Sequence, residues 1–212
     1  MDGHEYAELV RDADRRTLTG VVIDLSHEIV PERLGAAVLT EMGQATRWAC
    51  AGTCLDSPFH VDTGRADLAN LPLQRLVNVP IATVRAYARR QVTADHLGDP
   101  GLLWGKAVLL HTGWARRWGT PAYRQPGSPH LTHAAIDALI GANVALVGID
   151  AVAVDDPDDP GRRSLLGADI PILEHLTNLD LLPETGARLT VLPPPIRGVA
   201  SFPVRVVAVL PR

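Results

Sequence analysis

Thr132-His-Ala-Ala-Ile-Asp-Ala-Leu-Ile-Gly-Ala-Asn-Val-Ala-Leu-Val-Gly-Ile149 is the stretch that decides the fold class. Thr132 is a good helix N-cap, and Ala134, Ala135, Ile136, Leu139 and Ile140 give the following residues a helical apolar stripe. Gly141 supplies a C-terminal stop. Val144–Ile149 then reads at once as a buried strand. A helix handing over to a strand in this way marks an α/β domain. Further short, apolar, β-branched runs extend the pattern. Val21–Leu25, Lys106–His111, Ile170–Leu173, Arg188–Leu192 and Val204–Leu210 are predicted strands, and Arg47–Ala51 is a weaker one. Asp155–Arg163 (DDPDDPGRR) reads as a loop, because two prolines and a glycine interrupt it. Residues 1–19 read as an N-terminal arm or short helix, and residues 20–212 as one catalytic domain.

The bulk properties fit that picture. A chain of 212 residues suits a single domain that hides roughly 70% of its extended surface. Its formal net charge of −4 argues against a nucleic-acid partner. Lys106 is the only lysine, so arginine carries nearly all the positive charge. No apolar run reaches the ~20 residues of a membrane span, and the polar N-terminus is not a secretory signal. Two cysteines do not make a disulfide framework, so a cytoplasmic location is the expectation.

Chemistry concentrates in Cys50-Ala-Gly-Thr-Cys-Leu-Asp-Ser-Pro-Phe-His60. Cys50, Cys54, Asp56 and His60 can each bind a metal or move a proton. Their even spacing puts them on one face of a strand, although Gly52 and Pro58 favour a strand followed by a turn. The cysteines have three readings: small buried hydrophobes, a disulfide that an extended segment disfavours, or half of a zinc site. Farther on, Glu174 and His175 follow an apolar strand, where an acid is well placed to reach a site. His27 and His111 have ordinary structural readings, His130 and His133 are expected to be exposed, and Trp114 and Trp118 are expected to pack in the core.

Together these segments resemble the putative cyclase family, which includes bacterial kynurenine formamidase and isatin hydrolase. Cys50–His60 is similar to its His-x-Gly-Thr-His-x-Asp-x-Pro-x-His signature. Asp24-Leu-Ser-His27, Leu110-His-Thr-Gly-Trp114, Trp118–Tyr123, Val147-Gly-Ile-Asp150, Leu165–Glu174 and Asn178-Leu-Asp180 continue the resemblance in order. It implies a swivelling β/β/α domain, usually a homodimer or larger assembly, in which two divalent metals activate water against an amide or lactam. By position, Cys50 and Cys54 stand for two histidine ligands of the first metal. Asp56 and Glu174 match carboxylates that bridge both metals, and His60 matches a proton donor and acceptor. Arg162 falls where the family has a histidine for the second metal.

Those departures shape the functional expectation. Guanidinium offers no lone pair, so Arg162 cannot ligate and the two-metal arrangement is expected to be lost. The family's Pro-x-Trp-Pro-Gly-Asp segment is replaced by Pro31-Glu-Arg-Leu-Gly35, which removes an aromatic wall and makes kynurenine formamide itself a poor substrate. Three functions follow. The first is a metal-independent acid–base cyclase, dehydratase or lactone-type enzyme of a natural-product pathway, using His60, Asp56, Glu174 and Arg162. The second is a hydrolase of an amide, formamide or lactam, with one zinc held by Cys50, Cys54, Asp56 and Glu174. The third is a non-catalytic relative that binds a ligand. A cofactor is therefore either absent or a single zinc, and the partners are a small-molecule substrate and a second copy of the chain.

Overall fold

The structure, a computed structural model, describes residues 20–29, 52–156 and 161–211. The arm at 1–19, the strand expected at 47–51 and Cys50 lie outside the described residues. One nine-stranded sheet organises the rest. Its strands are β1 (Val21–Asp24), β2 (Cys54–Asp56), β3 (Val79–Arg85), β5 (Ala107–His111), β7 (Leu146–Ile149), β8 (Ile172–Glu174), β9 (Thr185–Val191), β10 (Ser201–Pro203) and β11 (Val206–Leu210). They lie in the order β1-β11-β9-β3-β5-β7-β8-β2-β10. Strands β3, β5, β7 and β8 run parallel. Antiparallel strands flank them on both sides. Two short strands, β4 (Gln91–Val92) and β6 (His130–Leu131), pair separately. Helices α1 (Ala94–Leu97), α2 (His133–Gly141) and α3 (Gly161–Gly167) complete the framework. No helix among the described residues is long and apolar enough to cross a membrane.

Strand periodicity divides the core in two. On β5, Val108 and Leu110 pack with Ile136, Leu139, Leu165 and Leu166 of the helices. Their neighbours Ala107 and Leu109 pack instead with Ile81, Leu146, Leu173, Leu189 and Val206. Both faces of the central strands are therefore buried, which is why they read as unbroken apolar runs. Gly148 serves this packing: a Cβ there would come within 2.7 Å of Leu109 and Leu176 methyls.

Three differences from the sequence reading have physical causes. Strand β3 is central yet unpredicted, because Pro80 lacks an N–H and speaks against an interior strand. A register irregularity between Pro80 and Ala82 in its pairing with β9 accommodates that residue. The segment read as a loop to residue 163 becomes helical at Gly161, where burial of Leu165 and Leu166 outweighs the local breakers. His130 is buried rather than exposed, since it lies in β6 with its Nδ1–H directed at Ser128 O, 3.3 Å away.

Leu109 is fully buried on β5, between β3 and β7. Leu109→Ala should cost about 2–5 kcal/mol of stability, measured by urea unfolding.

Candidate functional site

The site forms where β2 meets β8. These strands pair with Cys54 opposite Glu174 and Asp56 opposite Ile172. Opposed residues share a face, so Cys54, Asp56 and Glu174 project to the side where Ile172 joins the helix-facing core. Helix α3 packs against β8 on that side, and Arg162 sits in its first turn. Asp56 and Glu174 are each 2% exposed.

Arg162 closes this arrangement. Its Nη1 donates to Asp56 Oδ2 and its Nη2 to Glu174 Oε1. Nε lies 3.7 Å from Asp155 Oδ1, and the Arg162 backbone N–H donates to Asp155 Oδ2 at 3.0 Å. Burial opposes the charged guanidinium, but the charges of Glu174, Asp56 and Asp155 outweigh it and hold its pKa above the ordinary arginine value. The guanidinium is thus spent on protein carboxylates from three directions.

His175, the sequence neighbour of Glu174, takes a central place in the structure. It is fully buried and holds a left-handed backbone, φ 57°. A non-glycine residue pays strain for that conformation and needs surrounding contacts to keep it. Thr53 Oγ1 donates to its carbonyl at 2.5 Å, and its N–H donates to Ala151 O at 3.1 Å. Tyr123 Oη lies 2.8 Å from His175 Nδ1. Burial first, then the charges of Asp150, Glu174 and Cys54, push the Tyr123 pKa upward, so the phenol stays neutral. Trp118 packs between these rings and His27, stacking on the latter at 4.1 Å. The His27 N–H donates to Thr53 Oγ1 at 2.9 Å.

The remaining candidates are more peripheral. His60 is exposed at the end of the 3-10 turn Pro58–His60, which packs on α3. Asp150 follows β7 and is buried, accepting hydrogen bonds from Thr112 N, Thr112 Oγ1 and Gly113 N at 2.9, 2.5 and 2.7 Å. Those bonds fasten the turn after β5 to the end of β7, although burial still raises the Asp150 pKa. His111 ends β5. Arg85 Nη1 is 2.9 Å from His111 Nδ1, and guanidinium only donates, so this nitrogen accepts.

Removal of Arg162 would leave two buried carboxylates facing one another. Arg162→Met should therefore destabilise the protein by about 3–5 kcal/mol at neutral pH. Urea unfolding at neutral pH measures the effect. His111 carries a pH dependence. Burial lowers its pKa below 6.5; Asp150 pulls it back in part and Arg85 adds to the depression. Below about pH 6.5 the unfolded chain takes up a proton that the folded chain resists, so stability falls on acidification. His111→Gln should flatten that part of the stability curve.

Comparison with known proteins follows the same outline. A family model described as putative cyclase matches residues 23–156. The kynurenine formamidase of Salinibacter ruber is 33% identical over 162 residues, covering 74% of each chain. The isatin hydrolase of Roseibium aggregatum is 27% identical over 191 residues, covering 76% of this chain and 72% of its own. Isatin hydrolase A from Ralstonia solanacearum superposes with a TM-score of 0.74 at 23% identity and 97% coverage of both chains.

Proposed function

The chain belongs to the putative cyclase family, and we propose that it adds water across the C–N bond of a small amide, formamide or lactam. The supporting observation is the pair of buried carboxylates, Asp56 and Glu174, held by one guanidinium beside the carboxyl end of β8. Crevices at the carboxyl ends of parallel strands are where such sheets place ligands. A relative named as a hydrolase and another named as a formamidase favour water addition over ring closure.

Each side chain has a role in that reaction. The ion pairs engage one oxygen of each carboxylate. Glu174 or Asp56 accepts a proton from water as its oxygen attacks the carbonyl carbon. His60, at the exposed edge, delivers a proton to the departing nitrogen as the C–N bond breaks. The products are a carboxylic acid and an amine, joined in one molecule when the substrate is a lactam. Arg162 holds both acids in place; its charge faces inward to them, which leaves it poorly placed to receive an anionic group of the substrate.

The two-cation arrangement implied by the family resemblance does not fit these residues. Arg162 stands at the position of a second-cation ligand, and its guanidinium fills the space between the carboxylates. Arg162 also favours a second reading, metal-independent ring closure or dehydration by His60, Asp56 and Glu174, because it supplies a fixed cation where the family places a metal.

A panel of formanilides, lactams and cyclic imides assayed by mass spectrometry distinguishes the readings. Hydrolysis predicts one ring-opened product heavier by a water from a lactam or cyclic imide, and an aniline with formate from a formanilide, with kcat reduced about 10²–10⁴-fold in Glu174→Gln and His60→Ala. Folded variants that turn over at the native rate would remove the acid–base assignment.

A further inference from the structure

Strands β3 and β5 run parallel, and the segments that follow them wall a second crevice of about 350 Å³. Tyr87, Arg89 and Arg90 come from the segment after β3, and Trp114, Arg116 and Arg117 from the turn after β5. The carboxyl ends of parallel strands are where such sheets receive ligands. This crevice belongs to the β3–β5 pair, whereas Asp56, Arg162 and Glu174 gather around β2 and β8.

Its charge is one-sided. Among the described residues, Arg90 has a carboxylate nearby, Asp156 Oδ2 at 3.8 Å, while Arg89, Arg116 and Arg117 pair with none. The buried acid under the turn, Asp150, is already taken by Thr112 and Gly113. Like charges gathered at one mouth repel, and a cleft lined by one sign of charge focuses its field on the space between. An anion seated there relieves the repulsion.

Two of these cations are also held in position. Arg116 Nη1 donates to Tyr87 Oη at 2.6 Å, and its guanidinium carbon lies 5.1 Å from the centre of that ring. Arg117 lies over the Trp114 ring at 4.0 Å, and Trp114 Nε1–H donates to Tyr123 O at 2.9 Å. Stacking engages guanidinium faces and leaves N–H edges for a ligand. Tyr87 rests on Gly113, where a Cβ would come within 2.3 Å of its ring. Ala88 keeps a left-handed φ of 57° with its N–H donating to Thr112 O at 3.0 Å. A non-glycine residue holds that conformation only where its surroundings impose it. The two segments are therefore fastened to each other, and the cations they carry are preorganised.

We propose that this crevice binds a diphosphate group, either free or as part of a nucleotide. A carboxylate has one charge and two oxygens, which a single guanidinium fork satisfies. A phosphate group brings about −1.5 to −2 charge and three acceptor oxygens, so two of them match Arg89, Arg116 and Arg117 where a carboxylate does not. The chain as a whole carries a formal net charge of −4, which confines attraction for a polyanion to this crevice. The site stands apart from the C–N hydrolysis reading, because binding is measured without substrate.

Isothermal titration of the full chain with sodium pyrophosphate and with ADP, no divalent metal being added, tests the proposal. One anion should bind per chain. Arg89→Gln, Arg116→Gln and Arg117→Gln should each weaken binding about tenfold, the loss of one charge-assisted contact. All three side chains are exposed, and circular dichroism establishes that each variant is folded. Arg197→Gln, which removes an exposed arginine outside the crevice, should leave the affinity unchanged. Tighter binding of ADP than of pyrophosphate assigns the group to a nucleotide; equal or weaker binding assigns it to the free ion. Failure of both to bind, equal binding of citrate or of a hexaglutamate peptide, or unchanged affinity in all three folded variants overturns the site.

Discussion

The ionic bridge from Asp56 through Arg162 to Glu174 governs the rest of the site. It joins three elements that are far apart in sequence: β2, the first turn of α3 and the end of β8. None of its charges could be buried alone, since each would lose its hydration without return. Together they orient helix against strand, because the two-armed guanidinium donates in fixed directions to both carboxylates. The strands aim the carboxylates, the helix supplies the cation, and the helix-facing core around Leu165, Leu166 and Ile172 holds the helix in place.

A second layer supports this bridge. Tyr123, Trp118, His27 and His175 form an aromatic group whose polar atoms run through Thr53. The group ties the segment after β1, the turn after β5 and the residue after β8. Asp150 performs a similar task nearby, gathering the N–H groups of Thr112 and Gly113 onto one buried carboxylate. The cost of burying that acid shows in its raised pKa, and three hydrogen bonds offset part of it.

Much of this was readable from residues alone. The Thr132 cap accepts from Ala135 N at 3.4 Å, and the helix and strand behind it form, although the helix runs through Gly141 and the left-handed residue after it is Asn143. Local signals decide such elements. The meeting of Asp56, Arg162 and Glu174 was legible only through family resemblance and charge, since no local pattern specifies contact across 106 residues. Strand β3 was hidden by Pro80, and α3 by the breakers ahead of it; in both, tertiary burial decides what local propensity disfavours. The sequence marks His175 only by its place after Glu174 and an apolar strand. Its importance arises from a backbone conformation and from its contacts with Thr53 and Tyr123, neither of which a one-dimensional pattern encodes.

Arg162 also changes how such a site relates to its surroundings. A free ion exchanges with solution, so its occupancy follows supply and competes with chelators. A guanidinium is attached to the backbone and titrates far above neutral pH, so the charge between Asp56 and Glu174 is present from the moment the chain folds. That charge is insensitive to starvation for trace elements.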